Sequence, residues 1–75
     1  MKKLTDIEVD KTVKIENLLS DGYQRERMLA LGLTNGAHIH VVRHGPKNNL
    51  TVYNIRGAMI ALRKEEGDKI IVSYI

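Results

Sequence analysis

Seventy-five residues without a single cysteine leave few ways to fold. A chain this short buries only about 60% of the surface its unfolded form exposes. With no disulfide or thiolate metal site to staple it, the fold must close on one small core. One domain over residues 1–75 is expected, with no deep substrate cavity beside the core. Hydrophobic periodicity supplies that core. Val13 and Ile15 alternate with Lys14 and Glu16, and Ala37, Ile39 and Val41 alternate with His38, His40 and Val42. Leu50–Ile55, Ala58–Arg63 and Ile70–Ile75 are further strands, with Ile60, Leu62, Ile70 and Val72 inward. Lys64 to Asp68 reads as a turn.

One helix is signposted. It runs from about Tyr23 to Leu31, after Ser20-Asp21-Gly22, with Met28 and Leu31 on one face. Asp21 and Gln24 have capping-box spacing. Gly32 suits the left-handed position that ends helices, and Leu33 is the apolar residue that packs back near Met28. Thr5 and Glu8 have the same box spacing around one early helical turn, with Leu4 and Ile7 inward. The expected fold is mainly β: a small closed SH3-like barrel of about five strands with one or two short helices. An OB-type barrel is the second choice. Closure removes the exposed strand edges that a small protein tolerates poorly.

Charge is unevenly placed. The net charge is +3, but no acidic residue lies between Arg27 and Lys64. That stretch holds Arg43, Lys47, Arg56 and Arg63 besides its ends, and also His38, His40 and His44. A basic surface steers acidic partners or phosphates, whereas single surface cations are ordinarily just solvated. The residues offered for partner contact are Arg25, Arg27, Arg56 and Arg63, since arginine pairs carboxylates in a bidentate way, with Met59 as an adaptable apolar contact.

Other chemistry has little support. No G-x-x-x-x-G-K-[ST] loop occurs, and neither Ser20 nor Ser73 has a nucleophile context, so no enzyme activity and no cofactor are expected. His38 and His40 share a strand face with His44 near its end, but no acid or thiol is close in sequence. The histidines therefore read as solvent-facing, with a weak transition-metal site as the alternative. Three tyrosines and no Phe or Trp provide poor stacking platforms. Tyr53 and Tyr74 read as barrel-edge packing. Nucleic-acid binding is thus expected to be non-specific and weak, with Kd about 10⁻⁴ M or weaker near physiological salt. No apolar run approaches a membrane span, and the acids Asp6, Glu8 and Asp10 follow the N-terminal lysines where a signal peptide needs apolar residues. A cytoplasmic chain with no direct membrane insertion is expected.

Two blocks carry a family resemblance. Arg27-Met28-Leu29-Ala30-Leu31-Gly32-Leu33-Thr34-Asn35-Gly36 matches Arg-Leu-x-x-x-Gly-Leu-x-x-Gly, and Ile55-Arg56-Gly57 followed by Ala61-Leu62-Arg63 matches an Arg-Gly…Ala-Leu-Arg block. In this order and separation they resemble the ferrous iron transport protein A (FeoA) family. The resemblance implies an SH3-like barrel and an accessory role, cytoplasmic, bound to the cytoplasmic part of the membrane GTPase-permease of ferrous iron uptake. Two positions depart from the family. The loop Gly45–Leu50 lacks a frequent Leu-Gly-Asp-Pro continuation, and Gly67 stands where Ala is usual. The same barrel occurs, by resemblance, as the C-terminal module of iron-dependent repressors. Those carry a helix-turn-helix domain first, for which this chain has no room.

Overall fold

The β-rich pattern condenses into one sheet. The computed structural model describes residues 1–75, the side chain of Asn48 excepted. Strands β1 (Lys2–Lys3), β2 (Thr12–Leu18), β3 (His38–His44), β4 (Leu50–Ile55), β5 (Ala58–Arg63) and β6 (Ile70–Tyr74) are joined by helices α1 (Gly22–Ala30) and α2 (Lys64–Gly67). All neighbours are antiparallel, in the order β1-β6-β2-β3-β4-β5. One-residue irregularities fall between Ile15 and Asn17 in β2 and between Val41 and Arg43 in β3. Such bulges bend a strand and increase its twist. The sheet accordingly wraps around its own apolar face, and the molecule measures 28 × 25 × 24 Å.

Alternation supplies the core. Val13, Ile15, Ile39, Val41, Tyr53, Ile55, Leu62, Ile70 and Val72 face inward from five strands, and Leu4, Ile7, Met28 and Leu33 cover them from the connections. The helix ends as the sequence indicates. Gly32 has φ of +95°, its N–H donates to the Leu29 carbonyl at 3.0 Å, and the Leu33 N–H donates to Met28 at 3.0 Å. That is a Schellman motif, and it seats Leu33 fully in the core.

Four expectations are corrected. The strand order has two ends, β1 and β5, that do not pair, so the SH3-like sheet is six-stranded and open rather than a closed five-stranded barrel. The two residues of β1 already pair with β6 through Lys2–Val72 and Lys3–Ile71. Residues 64–68 are not a plain turn, because Lys64–Gly67 forms the single-turn helix α2. Neither Thr5 nor Asp21 caps a helix with its side chain. The Thr5 hydroxyl instead donates to Asp68 Oδ1, the first cause of a carboxyl pKa held below its usual value, and Gly22 enters α1 with φ of +55°. Tyr53 is not at an edge but 1% exposed in the core, where burial pushes its phenol up to about 12.

Candidate partner-binding face

The two motif blocks meet in space. β4 and β5 form a hairpin whose two-residue turn, Arg56-Gly57, has φ of +54° and +83°. Positive φ at both central positions is the type I′ pattern, which matches the strand twist of a tight hairpin. Asn54 Oδ1 accepts the Gly57 N–H at 3.2 Å and steadies the turn. The Arg56 side chain then crosses to the loop after α1. Its Nη2 donates to Thr34 Oγ1 at 3.1 Å, and its Cδ would lie 3.8 Å from a Cβ placed on Gly32. Gly32 is required by its backbone, and Arg56 packs over it.

The five arginine and methionine candidates fall into two groups. Arg56, Met59 and Arg63 belong to the β4–β5 hairpin and all three are exposed, Met59 by 60%. Arg25, also exposed, and the half-buried Arg27 lie on α1, and each has a partner within the protein. Arg25 Nη1 donates to the Leu18 carbonyl at 3.1 Å, and Arg27 Nη1 pairs with Glu66 Oε2. Arg63 also has a structural duty, since its backbone N–H donates to Glu66 Oε1 at 2.9 Å. Arg63 is the last residue of β5 and is exposed.

Glu66 is the residue the sequence underrated. Its side chain is only 11% exposed, and each carboxylate oxygen has a different donor. The signal was present in part. Arg63 and Glu66 have the spacing of a capping box, but Arg is not a Ser or Thr at the cap position. The acid-free stretch is consequently not free of acids in space, because Glu66 reaches Arg27 and Asp10 Oδ1 lies 3.8 Å from His40 Nε2.

The histidines are spread along β3. His40 Nδ1 is 2.7 Å from the Thr12 hydroxyl and His44 Nδ1 is 2.9 Å from the Thr51 hydroxyl. Among the described residues no group of three His, Cys, Asp or Glu side chains converges as a metal site. Among the same residues no helix is long and apolar enough to cross a membrane. A shallow cleft of about 270 Å³ opens between the start of α1 and α2, lined by Ser20, Asp21, Met28 and Glu66 among others.

A family model for the FeoA domain matches residues 2–74. The chain belongs to the FeoA domain family. Solved FeoA structures superpose closely. The iron(II) transport protein A of Clostridium thermocellum shares 29% identity with a TM-score of 0.93, over 97% of this chain and 45% of that one. The FeoA protein of Chlorobium tepidum shares 25% identity with a TM-score of 0.91, over 97% of this chain and 70% of that one. A manganese-dependent transcriptional repressor has the same fold at 13% identity and a TM-score of 0.89, this chain matching 41% of its length. No curated protein matches the sequence.

Proposed function

We propose that this FeoA chain serves ferrous iron uptake as a non-enzymatic accessory protein in the cytoplasm, and that it binds the cytoplasmic part of the GTPase-permease through the β4–β5 hairpin. The observation that carries the reading is that Arg56, Met59 and Arg63 are exposed together on one hairpin and neither arginine is paired with a carboxylate among the described residues. Arg56 meets only the Thr34 hydroxyl, while Arg27 on α1 is neutralised by Glu66. Family membership supplies the process, ferrous iron uptake. The hairpin is rigid at both ends. Arg56 is fixed by a type I′ turn and Arg63 by the Glu66 contact to its N–H. Guanidinium groups on a backbone fixed this way steer an acidic partner and pair with its carboxylates, which raises the association rate more than it slows dissociation.

The test measures binding of the purified GTPase region by surface plasmon resonance. Arg56→Glu with Arg63→Glu should slow association on the order of ten-fold at low salt. The deficit should shrink as salt rises, because exposed charges are screened beyond about 10 Å at 0.1 M ionic strength. The fold should persist, read by circular dichroism. Unchanged association and salt dependence in the double reversal would sink the reading.

A further inference from the structure

The two ends of the sheet are not alike. β1 is two residues long and both are lysines. Shortness and lysine are the usual means by which natural sheets protect an edge. β5 has none of these protections. It runs for six residues, its register with β4 is unbroken from Leu50–Arg63 to Ile55–Ala58, and it contains no proline and no bulge. It is the last strand in the order, so its outer side has no neighbouring strand.

The ladder fixes which groups point out. A two-residue hairpin makes Ile55–Ala58 a hydrogen-bonded pair, and the alternation continues through Tyr53–Ile60 and Thr51–Leu62. The N–H and C=O groups of Met59, Ala61 and Arg63 therefore point away from β4. The Arg63 N–H shows the same parity, since it donates to Glu66 Oε1 and not to β4. Met59 and Ala61 present the remaining free donors, and their own side chains, one flexible and one small, are exposed.

We propose that the outer edge of β5 takes an extended acidic segment of the partner as an additional antiparallel or parallel strand. The inference rests on the function proposed above and supplies the mode of contact. Main-chain pairing gives affinity, and side-chain ends give specificity. Arg56 stands at one end of β5 and Arg63 at the other, and six residues at about 3.3 Å each make an edge about 20 Å long. The segment it fits is a short strand with a carboxylate near each end. A second copy of this chain fits poorly. Antiparallel β5–β5 pairing centred on Ala61 would set Arg63 of one copy opposite Met59 of the other, and parallel pairing would set like residues together, Arg63 by Arg63. β5 itself holds no acid, so neither arrangement supplies a carboxylate, and both would join chains that each carry +3.

Proline at position 61 tests this. Ala61→Pro removes an outward N–H and places a ring on the open side, while the β4 ladder keeps all its donors, which is where sheets tolerate proline. An unchanged amide NMR fingerprint away from β5 confirms the fold. Should the proline variant misfold, a chain assembled by chemical ligation with N-methylalanine at position 61 removes the same N–H without the ring. Binding to the purified GTPase region should weaken about ten-fold or more, the equivalent of one lost hydrogen bond with its desolvation. If the wild-type chain binds and the position-61 variant binds equally well, the edge proposal is overturned while the hairpin contact survives. If the wild-type chain does not bind that region at all, the function reading has failed. The edge is then probed with a synthetic peptide of alternating Thr and Val closed by Glu at both ends. Peptide-induced shifts centred on the Met59 and Ala61 amides, absent in the variant, support the edge, and the absence of shifts overturns it.

Discussion

Arg27 on α1 and Glu66 on α2 form an ion pair across 39 residues of sequence, and this pair holds the single-turn helix α2 against the long one. Glu66 Oε2 faces Arg27, while Oε1 accepts the Arg63 N–H. Losing Glu66 therefore frees two donors, whereas losing Arg27 frees one acceptor oxygen. Glu66→Ala should cost about 2 kcal/mol, in the range of hydrogen bonds to charged groups. Arg27→Ala, whose side chain is 37% exposed, should cost about 1 kcal/mol or less. Urea unfolding of both variants checks the order, and the double variant should lose less than the sum because the two share one contact.

Gly67 is buried beneath Thr5. A Cβ at Gly67 would lie 2.8 Å from Thr5 Cγ2, closer than carbon atoms approach, and Thr5 is tethered by its hydrogen bond to Asp68. Gly67→Ala alone should destabilise by about 1 kcal/mol, the usual scale of overpacking. In a Thr5→Ser background the methyl is gone and the hydroxyl stays. There the same substitution should become neutral or favourable, since Ala is the better helix residue by about 1 kcal/mol. A double-mutant cycle from thermal unfolding reads the coupling directly.

Tyr53 makes the fold sensitive to alkali. Burial raises its phenol from 10.0 to about 12, so the unfolded chain ionises before the folded one. A raised folded-state pKa gives a contribution fully present below pH 10.0 and lost as pH rises towards about 12. Stability should fall through that window, and Tyr53→Phe should flatten the fall. Tyrosinate absorbance combined with chemical denaturation at stepped pH measures both.

The legible parts of the fold were those that one stretch of chain decides alone. Gly32 and Leu33 announce a helix end because the left-handed turn and the buried leucine are adjacent. Strand faces followed from alternation, and even the bulge in β2 left a trace, because the inward positions run Val13, Ile15, Leu18. The illegible parts depend on partners far along the chain. Lys2-Lys3 has no apolar pattern and becomes a strand only because β6 is there to pair with it. Lys64–Gly67 lacks a capping hydroxyl and is helical because Glu66 finds Arg27. For the hairpin face, sequence named Arg56, Met59 and Arg63 together with Arg25 and Arg27. It could not show that Arg27 is neutralised by Glu66 while Arg56 meets only the Thr34 hydroxyl, because these neighbours are brought together only by folding.

The position of β6 between β1 and β2 has a consequence for how this protein is made. On the ribosome, β2, α1, β3, β4 and β5 emerge in turn, and the β4–β5 hairpin can form from local pairing alone. The middle of the sheet stays incomplete until residues 70–74 leave the exit tunnel, because β6 supplies the neighbour to both β1 and β2. Until then the outer side of β2 is a second open edge with Val13 and Ile15 beside it. Contacts between the two ends of a chain form slowly, since a long loop must close before they gain anything. A nascent chain stalled before residue 70 is therefore the form of this protein most exposed to wrong pairing and to chaperones.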